Sequence, residues 1–214
     1  MKEKKKRKLI LSVLFIIIFL LWTAAVRFID RKSIGPLNSV VGFSSLNKAF
    51  HSFTGVNMTL YYITDWLGLV AIAVCLIFAI LGLIQLLKRK SILKVDYDIL
   101  WLGAFYAVVF GVYLLFECLI INYRPILIDG RLEASYPSST TLLIMCIIPT
   151  AVMQVHKRVK KAPLRIIISI FLTVFAGFVL FARVFSGVHW ITDIIGACLF
   201  AIGADLGYLY LGDL

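Results

Sequence analysis

The sequence predicts an all-α fold, a bundle of six transmembrane helices, and three observations support this class. The 214-residue chain is 62% hydrophobic and has a mean hydropathy of +1.00, whereas soluble domains are closer to half apolar. Only 15% of its residues are charged. Its apolar residues form six long segments, and a helix that crosses a bilayer needs about 20 of them. Short segments of alternating polarity, typical of transmembrane barrels, are not found in the sequence.

The six segments are taken in chain order. They are Leu9–Val26, Leu67–Leu87, Ile99–Ile121, Thr141–Val155, Ile166–Ala182 and Ile191–Leu211. The fourth is short for a membrane span, so we expect its helix to begin earlier, near Ser138. The first follows the basic stretch MKEKKKRK, which also begins many signal peptides. Its apolar run is longer than that of a signal peptide and contains Trp22, so we favour an uncleaved first helix.

Basic residues indicate the orientation of the bundle. If all six segments span, then fifteen of the 22 Lys and Arg residues lie on one side, in residues 1–8 and in the second and fourth connections. Positive loops face the cytoplasm. We therefore expect a multi-pass protein of the cell membrane with both termini cytoplasmic. The net charge of +11 follows from this distribution, so we expect no nucleic-acid partner.

A single membrane-embedded domain accounts for residues 1–214. Within the first outer connection, residues 42–55 carry Leu46, Phe50 and Phe53 at helical spacing, which predicts a helix lying at the membrane surface. All four cysteines fall inside apolar segments and are typical of small core residues. The sequence therefore predicts no metal site and no cofactor.

The stretch RVFSGVHWITD holds three ionisable residues where a long apolar run begins. His189 and Asp193 are four residues apart, so they share a face of a helix. A carboxylate that accepts a hydrogen bond from an imidazole orients it as a base or nucleophile. The guanidinium of Arg183 suits a phosphate oxyanion. The alternative interpretation is that all three reach out of the membrane boundary to water.

Two other groups of residues fall on the same predicted outer side. We expect the helix of the third segment to end at Arg124, before Pro125, and YPSSTT, residues 136–141, to open the fourth helix. The free backbone N–H groups at a helix N-terminus can bind an anion, to which Ser138 would add a hydroxyl. Simple capping of the helix is the alternative for Ser138. The predicted topology brings all three groups to one face, which favours a phosphate site.

These motifs resemble the type 2 phosphatidic acid phosphatases, six-helix membrane enzymes whose sites are related to those of vanadium haloperoxidases. The family motifs are Lys-x6-Arg-Pro, Pro-Ser-Gly-His and Ser-Arg-x5-His-x3-Asp. Arg124–Pro125, Pro137–Ser138, and Arg183, His189 and Asp193 match them in part. The resemblance implies that His189 attacks phosphorus to form a phosphohistidine and that Asp193 orients it. It also implies that Arg124, Arg183 and Ser138 bind phosphate at the extracytoplasmic face.

The chain departs from the family at four positions. Glu117 replaces the Lys of the first motif, Ser139 and Thr140 replace the Gly and His of the second, and Ala182 replaces the Ser of the third. The second-motif His is the family's general acid, and a threonine hydroxyl does not titrate usefully near neutral pH. Loss of the general acid should slow the hydrolysis of a diphosphate less than that of a monoester. A phosphate leaving group has a second pKa of about 6, so it can depart without a donated proton.

The resemblance therefore implies a membrane lipid phosphatase that hydrolyses a lipid phosphate or, by preference, a polyprenyl or other lipid diphosphate. The alternative is a catalytically impaired relative that binds lipid phosphate without efficient turnover. Glu117 has two interpretations of its own. It lies seven residues before Arg124, about two helical turns, so the two would share a helix face. We favour an ion pair with Arg124, Arg131 or Arg183, and the other interpretation is a proton donor. A transporter with an arginine-lined path is a further alternative, and no paired broken helices support it.

Overall fold

A computed structural model describes residues 2–212 of the chain. This range contains seven α-helices and a two-stranded antiparallel hairpin, in which Lys32 pairs with Val41 and Ser33 with Val40. In chain order the elements are α1 Lys2–Phe28, β1 Lys32–Ser33, β2 Val40–Val41, α2 Ser44–Thr54, α3 Met58–Arg89, α4 Tyr97–Cys118, α5 Ser139–Arg158, α6 Ala162–Ser186 and α7 Ile191–Gly212.

Six of the helices, all except α2, are long and apolar enough to cross a membrane. The predicted all-α membrane bundle is therefore confirmed, and the chain is a multi-pass membrane protein. Three of these helices, α1, α3 and α6, extend a turn or more beyond their apolar segments. For example, α3 begins at Met58 because the side chain of Asn57 accepts a hydrogen bond from the backbone N–H of Leu60 at 3.0 Å. As expected, α5 begins close to Ser138.

The centre of the bundle is α5, which packs against α3, α4, α6 and α7. It is the least hydrophobic of the six spans and also the most buried. Its polar residues face protein: Tyr106 bonds Thr150, and Gln154 bonds Tyr208. Polar side chains thus mark the span that protein encloses most, because an unsatisfied polar group in lipid costs several kcal/mol.

Small residues bring α1 and α7 into close contact. A Cβ atom on Gly203 would lie 2.9 Å from the Ile16 side chain, and one on Gly207 would lie 3.0 Å from the Ser12 hydroxyl. Ser12 also donates a hydrogen bond to the Gly203 carbonyl at 2.7 Å. A GxxxG pattern on α7 therefore forms the surface on which α1 packs.

Residues 29–57, 119–138 and 187–190 form one end of the bundle, which we call the site end. Here the structure corrects an expectation, because α4 ends at Cys118 and not near Arg124. The chain then folds into an irregular hairpin in which Tyr123 pairs with Ala134 and Ile128 with Arg131. Its tip, Asp129–Gly130, has positive φ at both residues (49° and 74°), as an Asp-Gly type I′ turn requires.

Candidate active site

Three elements position His189. Helix α6 ends at Ser186, and Gly187 then adopts a left-handed conformation (φ 66°) that turns the chain. Helix α7 begins at Ile191, and the Asp193 carboxylate reaches back to accept a hydrogen bond from the Trp190 backbone N–H at 2.9 Å. The Trp190 indole donates to the Tyr123 carbonyl at 2.8 Å. His189 is thereby fixed between α6, α7 and the hairpin.

The hydrogen bonds of His189 define which ring nitrogen carries the proton. Its Nδ1 lies 3.1 Å from the Ser135 carbonyl oxygen, and a carbonyl can only accept. Nδ1 is therefore the protonated nitrogen, and Nε2 keeps its lone pair. Nη1 of Arg124 approaches Nε2 at 3.4 Å. The ring thus presents an unprotonated Nε2 to a guanidinium, which is the arrangement that a nucleophile for phosphorus needs.

Asp193 acts on the ring indirectly. We expected a direct hydrogen bond, but the Asp193 Oδ2 to His189 Nδ1 distance is 3.8 Å, which is too long. The Ser135 hydroxyl lies between them. It donates to Asp193 Oδ2 at 2.5 Å and lies 3.1 Å from His189 Nδ1. The result is a His189–Ser135–Asp193 chain in which a residue that the sequence motifs did not indicate is the middle member.

Two buried arginines approach this chain from the hairpin and from α6. Arg124 Nε lies 3.1 Å from a carboxylate oxygen of Glu133. Arg183 is fully buried, donates to Thr140 Oγ1 at 2.6 Å and Thr64 Oγ1 at 3.2 Å, and lies 3.5 Å from Asp65. Both guanidinium groups pack against one aromatic ring, that of Tyr61, at 5.7 Å and 5.0 Å from its centroid.

The electrostatics of the site keep His189 neutral. The ring is buried, and burial disfavours the charged imidazolium. Burial first, and then the positive charges of Arg124 and Arg183, hold the pKa of His189 well below its usual range. An imidazole that stays neutral keeps the Nε2 lone pair available.

The expectation that Glu117 forms an ion pair with Arg124, Arg131 or Arg183 is wrong. Arg124 pairs with Glu133 and Arg183 with Asp65, and within residues 2–212 no cation lies within 4.0 Å of the Glu117 carboxylate. The expectation assumed that Glu117 and Arg124 share one helix face, but α4 ends one residue after Glu117.

Glu117 instead lines a small cavity of about 10 Å³ with His189, Ser135 and Ser139. That volume accommodates one water molecule and is too small for a phosphate. Ser138 is not among the residues that line the cavity. It is fully buried, its hydroxyl accepts from Thr141 at 3.0 Å, and its backbone N–H donates to the Asp193 carbonyl at 3.2 Å.

The structure thus brings Arg124, Arg183, His189 and Asp193 to one end of the bundle. Thr140 accepts a hydrogen bond from Arg183, and Ser139 lines the same cavity as Glu117. Sequence reasoning missed Ser135 and Tyr61, and it did not foresee that Glu133 and Asp65 pair with the two arginines. The Asp-Gly turn of the hairpin was the available signal for the pairing of Arg124 with Glu133. Within the described range, no three His, Cys, Asp or Glu residues lie close enough to hold a metal ion.

Comparisons with known proteins agree with this architecture. The family model described as PAP2 superfamily matches residues 115–212, which contain every motif residue discussed above. No significant match is found among the curated proteins. The fold is similar to that of a PAP2-type phosphatidylglycerolphosphate phosphatase from Bacillus subtilis, with a TM-score of 0.64, 20% sequence identity and 94% of each chain covered.

The resemblance to the type 2 phosphatidic acid phosphatases is therefore confirmed: residues 115–212 match the PAP2 superfamily model, and the fold is similar to that of a transmembrane PAP2-type phosphatase.

Proposed function

We propose that the protein is a membrane lipid phosphatase that forms a phosphohistidine at His189 and that prefers a polyprenyl or other lipid diphosphate. The observation that carries this proposal is the unprotonated Nε2 of His189, held facing Arg124 with Arg183 nearby. A site for binding alone has no need of an imidazole whose proton is directed away from the ligand by a serine and an aspartate.

The first chemical step uses residues already in contact. Arg124 turns from Nε2 towards a phosphate oxygen, and the site widens to admit the phosphate. Arg183 and the free N–H groups at the start of α5 supply further positive potential. The Nε2 lone pair then forms a bond to the terminal phosphorus. The bond from phosphorus to the bridging oxygen breaks, and its electron pair leaves with that oxygen on the lipid monophosphate.

The preference for a diphosphate rests on Thr140. Its hydroxyl is occupied by Arg183 at 2.6 Å and supplies no acid near neutral pH. General acid catalysis is worth about 10²–10⁴-fold. A monoester loses that factor because its leaving alkoxide needs a proton, whereas a lipid monophosphate leaves as a stable anion.

A second candidate function is phosphate-lipid binding without efficient turnover. The small cavity beside His189 and the substitution at Thr140 favour it. Both functions place the site on the extracytoplasmic side, in a protein of the cell membrane with cytoplasmic termini.

The test is phosphate release by the purified protein in detergent micelles. The panel is farnesyl diphosphate, farnesyl monophosphate, phosphatidic acid and phosphatidylglycerol phosphate, the last because the similar Bacillus subtilis protein is named for it. We expect release from farnesyl diphosphate at least 100-fold faster than from the monophosphate. His189→Ala should abolish release, whereas His156→Ala, at the opposite end of the bundle, should not. Lipid binding with no release from any substrate would instead support the second candidate.

A further inference from the structure

Glu117 is an exposed carboxylate, in no ion pair within residues 2–212, that lines the same small cavity as His189. Starting from the proposed function, we infer that Glu117 is the general base of the second chemical step. In that step a water molecule hydrolyses the phosphohistidine, and Glu117 activates this water. The inference rests on that function, and it assigns a role to a position where the family motif has a lysine.

The first support is that the Glu117 carboxylate forms no ion pair within residues 2–212. Glu117 lies in the last turn of α4, next to the site end. The buried guanidiniums nearby are bound to other carboxylates, Arg124 to Glu133 and Arg183 to Asp65. A carboxylate fixed in an ion pair is a poor base, because its charge is already neutralised. Glu117 has no such partner within residues 2–212, so its oxygens remain available to take up a proton.

The second support is the cavity that Glu117 shares with His189. Its volume of about 10 Å³ matches one water molecule, and a buried water needs two to four polar partners. The lining includes the polar side chains of Glu117, Ser135, Ser139 and His189. A water bound here would have the Glu117 carboxylate and the His189 ring among its neighbours, so the proton acceptor and the nucleophile would share one water site.

The third support is what a diphosphate substrate requires. Its leaving group departs without a proton, so the missing acid at Thr140 costs little in the first step. The second step does need proton transfer, because the attacking water must lose a proton whichever substrate reacted in the first step. Water has a pKa of about 15.7 and attacks slowly without a base. A base is therefore needed in this step, and the Thr140 hydroxyl, bonded to Arg183, is not one.

The step balances as follows. The water oxygen forms a bond to phosphorus while a Glu117 oxygen takes one proton of that water. The bond from phosphorus to Nε2 breaks, and its electron pair returns to Nε2. The products are inorganic phosphate, neutral His189 and protonated Glu117, which then releases its proton to solvent.

The experiment compares Glu117→Gln with the wild-type protein during turnover of farnesyl diphosphate labelled with ³²P in the terminal phosphate. Glutamine keeps the size of the side chain and removes the base. We expect an initial burst of one farnesyl monophosphate per protein at an unchanged rate, followed by a steady state slower by about 10²–10⁴-fold. An alkaline quench, which preserves phosphohistidine, should show ³²P accumulated on the protein.

Asp129→Asn is the matched control, since it makes the same change of carboxylate to amide on the exposed hairpin tip, and it should behave as wild type. Glu117→Ala with added formate is the second variant, and formate should restore the steady-state rate by supplying a small carboxylate base. The inference is overturned if Glu117→Gln turns over at the wild-type rate, or if it slows without accumulating labelled protein. If the wild-type protein itself behaves as His189→Ala, then the proposed function fails as well, and the wild-type measurement alone reveals that outcome.

Discussion

His189 combines burial with a defined tautomer. Its side chain is inaccessible, its Nδ1 proton is directed to Ser135, and the two arginines nearby oppose a second proton. In the unfolded chain an imidazole is protonated near pH 6.5. Below that pH the unfolded state therefore gains a proton that the folded state lacks. The free energy of unfolding falls as the pH drops below about 6.5, and this residue contributes no pH dependence above it.

We predict that His189 stays neutral at pH 5.5 because of this lowered pKa. The measurement is the ¹⁵N NMR spectrum of the protein labelled at histidine, in which the three imidazoles are assigned by comparison with His189→Ala. The Nε2 signal of His189 should keep the chemical shift of an unprotonated nitrogen between pH 8 and 5.5. A His189 signal that titrates near pH 6.5 would contradict the described electrostatics.

Ser135 is the other decisive residue, because it connects Asp193 to the imidazole. Ser135→Ala leaves Asp193 Oδ2 with only the Trp190 N–H, and an unmet buried hydrogen bond costs about 1–3 kcal/mol. We predict that kcat for farnesyl diphosphate falls about 10- to 100-fold, while KM changes little because Ser135 is not a proposed phosphate ligand. Ser52→Ala, on exposed α2, is the control. An equal effect of both substitutions on kcat would exclude a specific role for Ser135.

At the scale of elements, the turn between α6 and α7 decides where His189 lies. Two features require glycine at position 187. Its φ is 66°, and a Cβ atom there would lie 1.8 Å from the Gly55 carbonyl oxygen. Gly55 caps the C-terminal end of α2, so this close approach places that end of α2 against the turn. His51 of α2 reinforces the contact, since its Nε2 lies 3.0 Å from the Gly187 carbonyl. The close approach of two backbones therefore fixes the position of His189.

Gly130 provides a matched comparison for Gly187, because its φ is 74° and a Cβ there would contact nothing within 4 Å. We predict that Gly130→Ala costs only the left-handed conformation, about 1–2 kcal/mol. Gly187→Ala should cost clearly more and should also reduce phosphate release, because α2 must shift. Thermal unfolding in detergent measures the first effect. Equal melting temperatures for the two variants would mean that the contact with Gly55 is unimportant.

At the scale of the molecule, six helices are long and apolar enough to cross a membrane, and an even number of crossings would put both ends of the described chain on the side opposite the site. We predict that the site end is extracytoplasmic, because most Lys and Arg residues lie at the opposite end. In a variant lacking the four native cysteines, Arg131→Cys should react with an impermeant thiol reagent added to intact cells. Lys160→Cys should react only after lysis. The reverse pattern would invert the orientation.

The sequence by itself determined the membrane class, the number of spans and the residues that share an end of the bundle. These follow from properties local in the chain: apolar length, the position of basic residues, and the spacing of Arg183, His189 and Asp193. The burial of α5 was less evident, because its polar residues shorten its apolar run and yet mark it as the central helix.

Only the tertiary structure decided which polar groups are partners. Arg124 was expected at the end of a helix, but it lies in a hairpin that pairs it with Glu133 and leaves Glu117 free. Ser135 reaches His189 across 54 positions of the chain, and Thr140 reaches Arg183 across 43. The physical reason is that a buried charge bonds whichever group the packing of distant loops and helices brings within about 3 Å, and sequence spacing constrains only neighbours on one element.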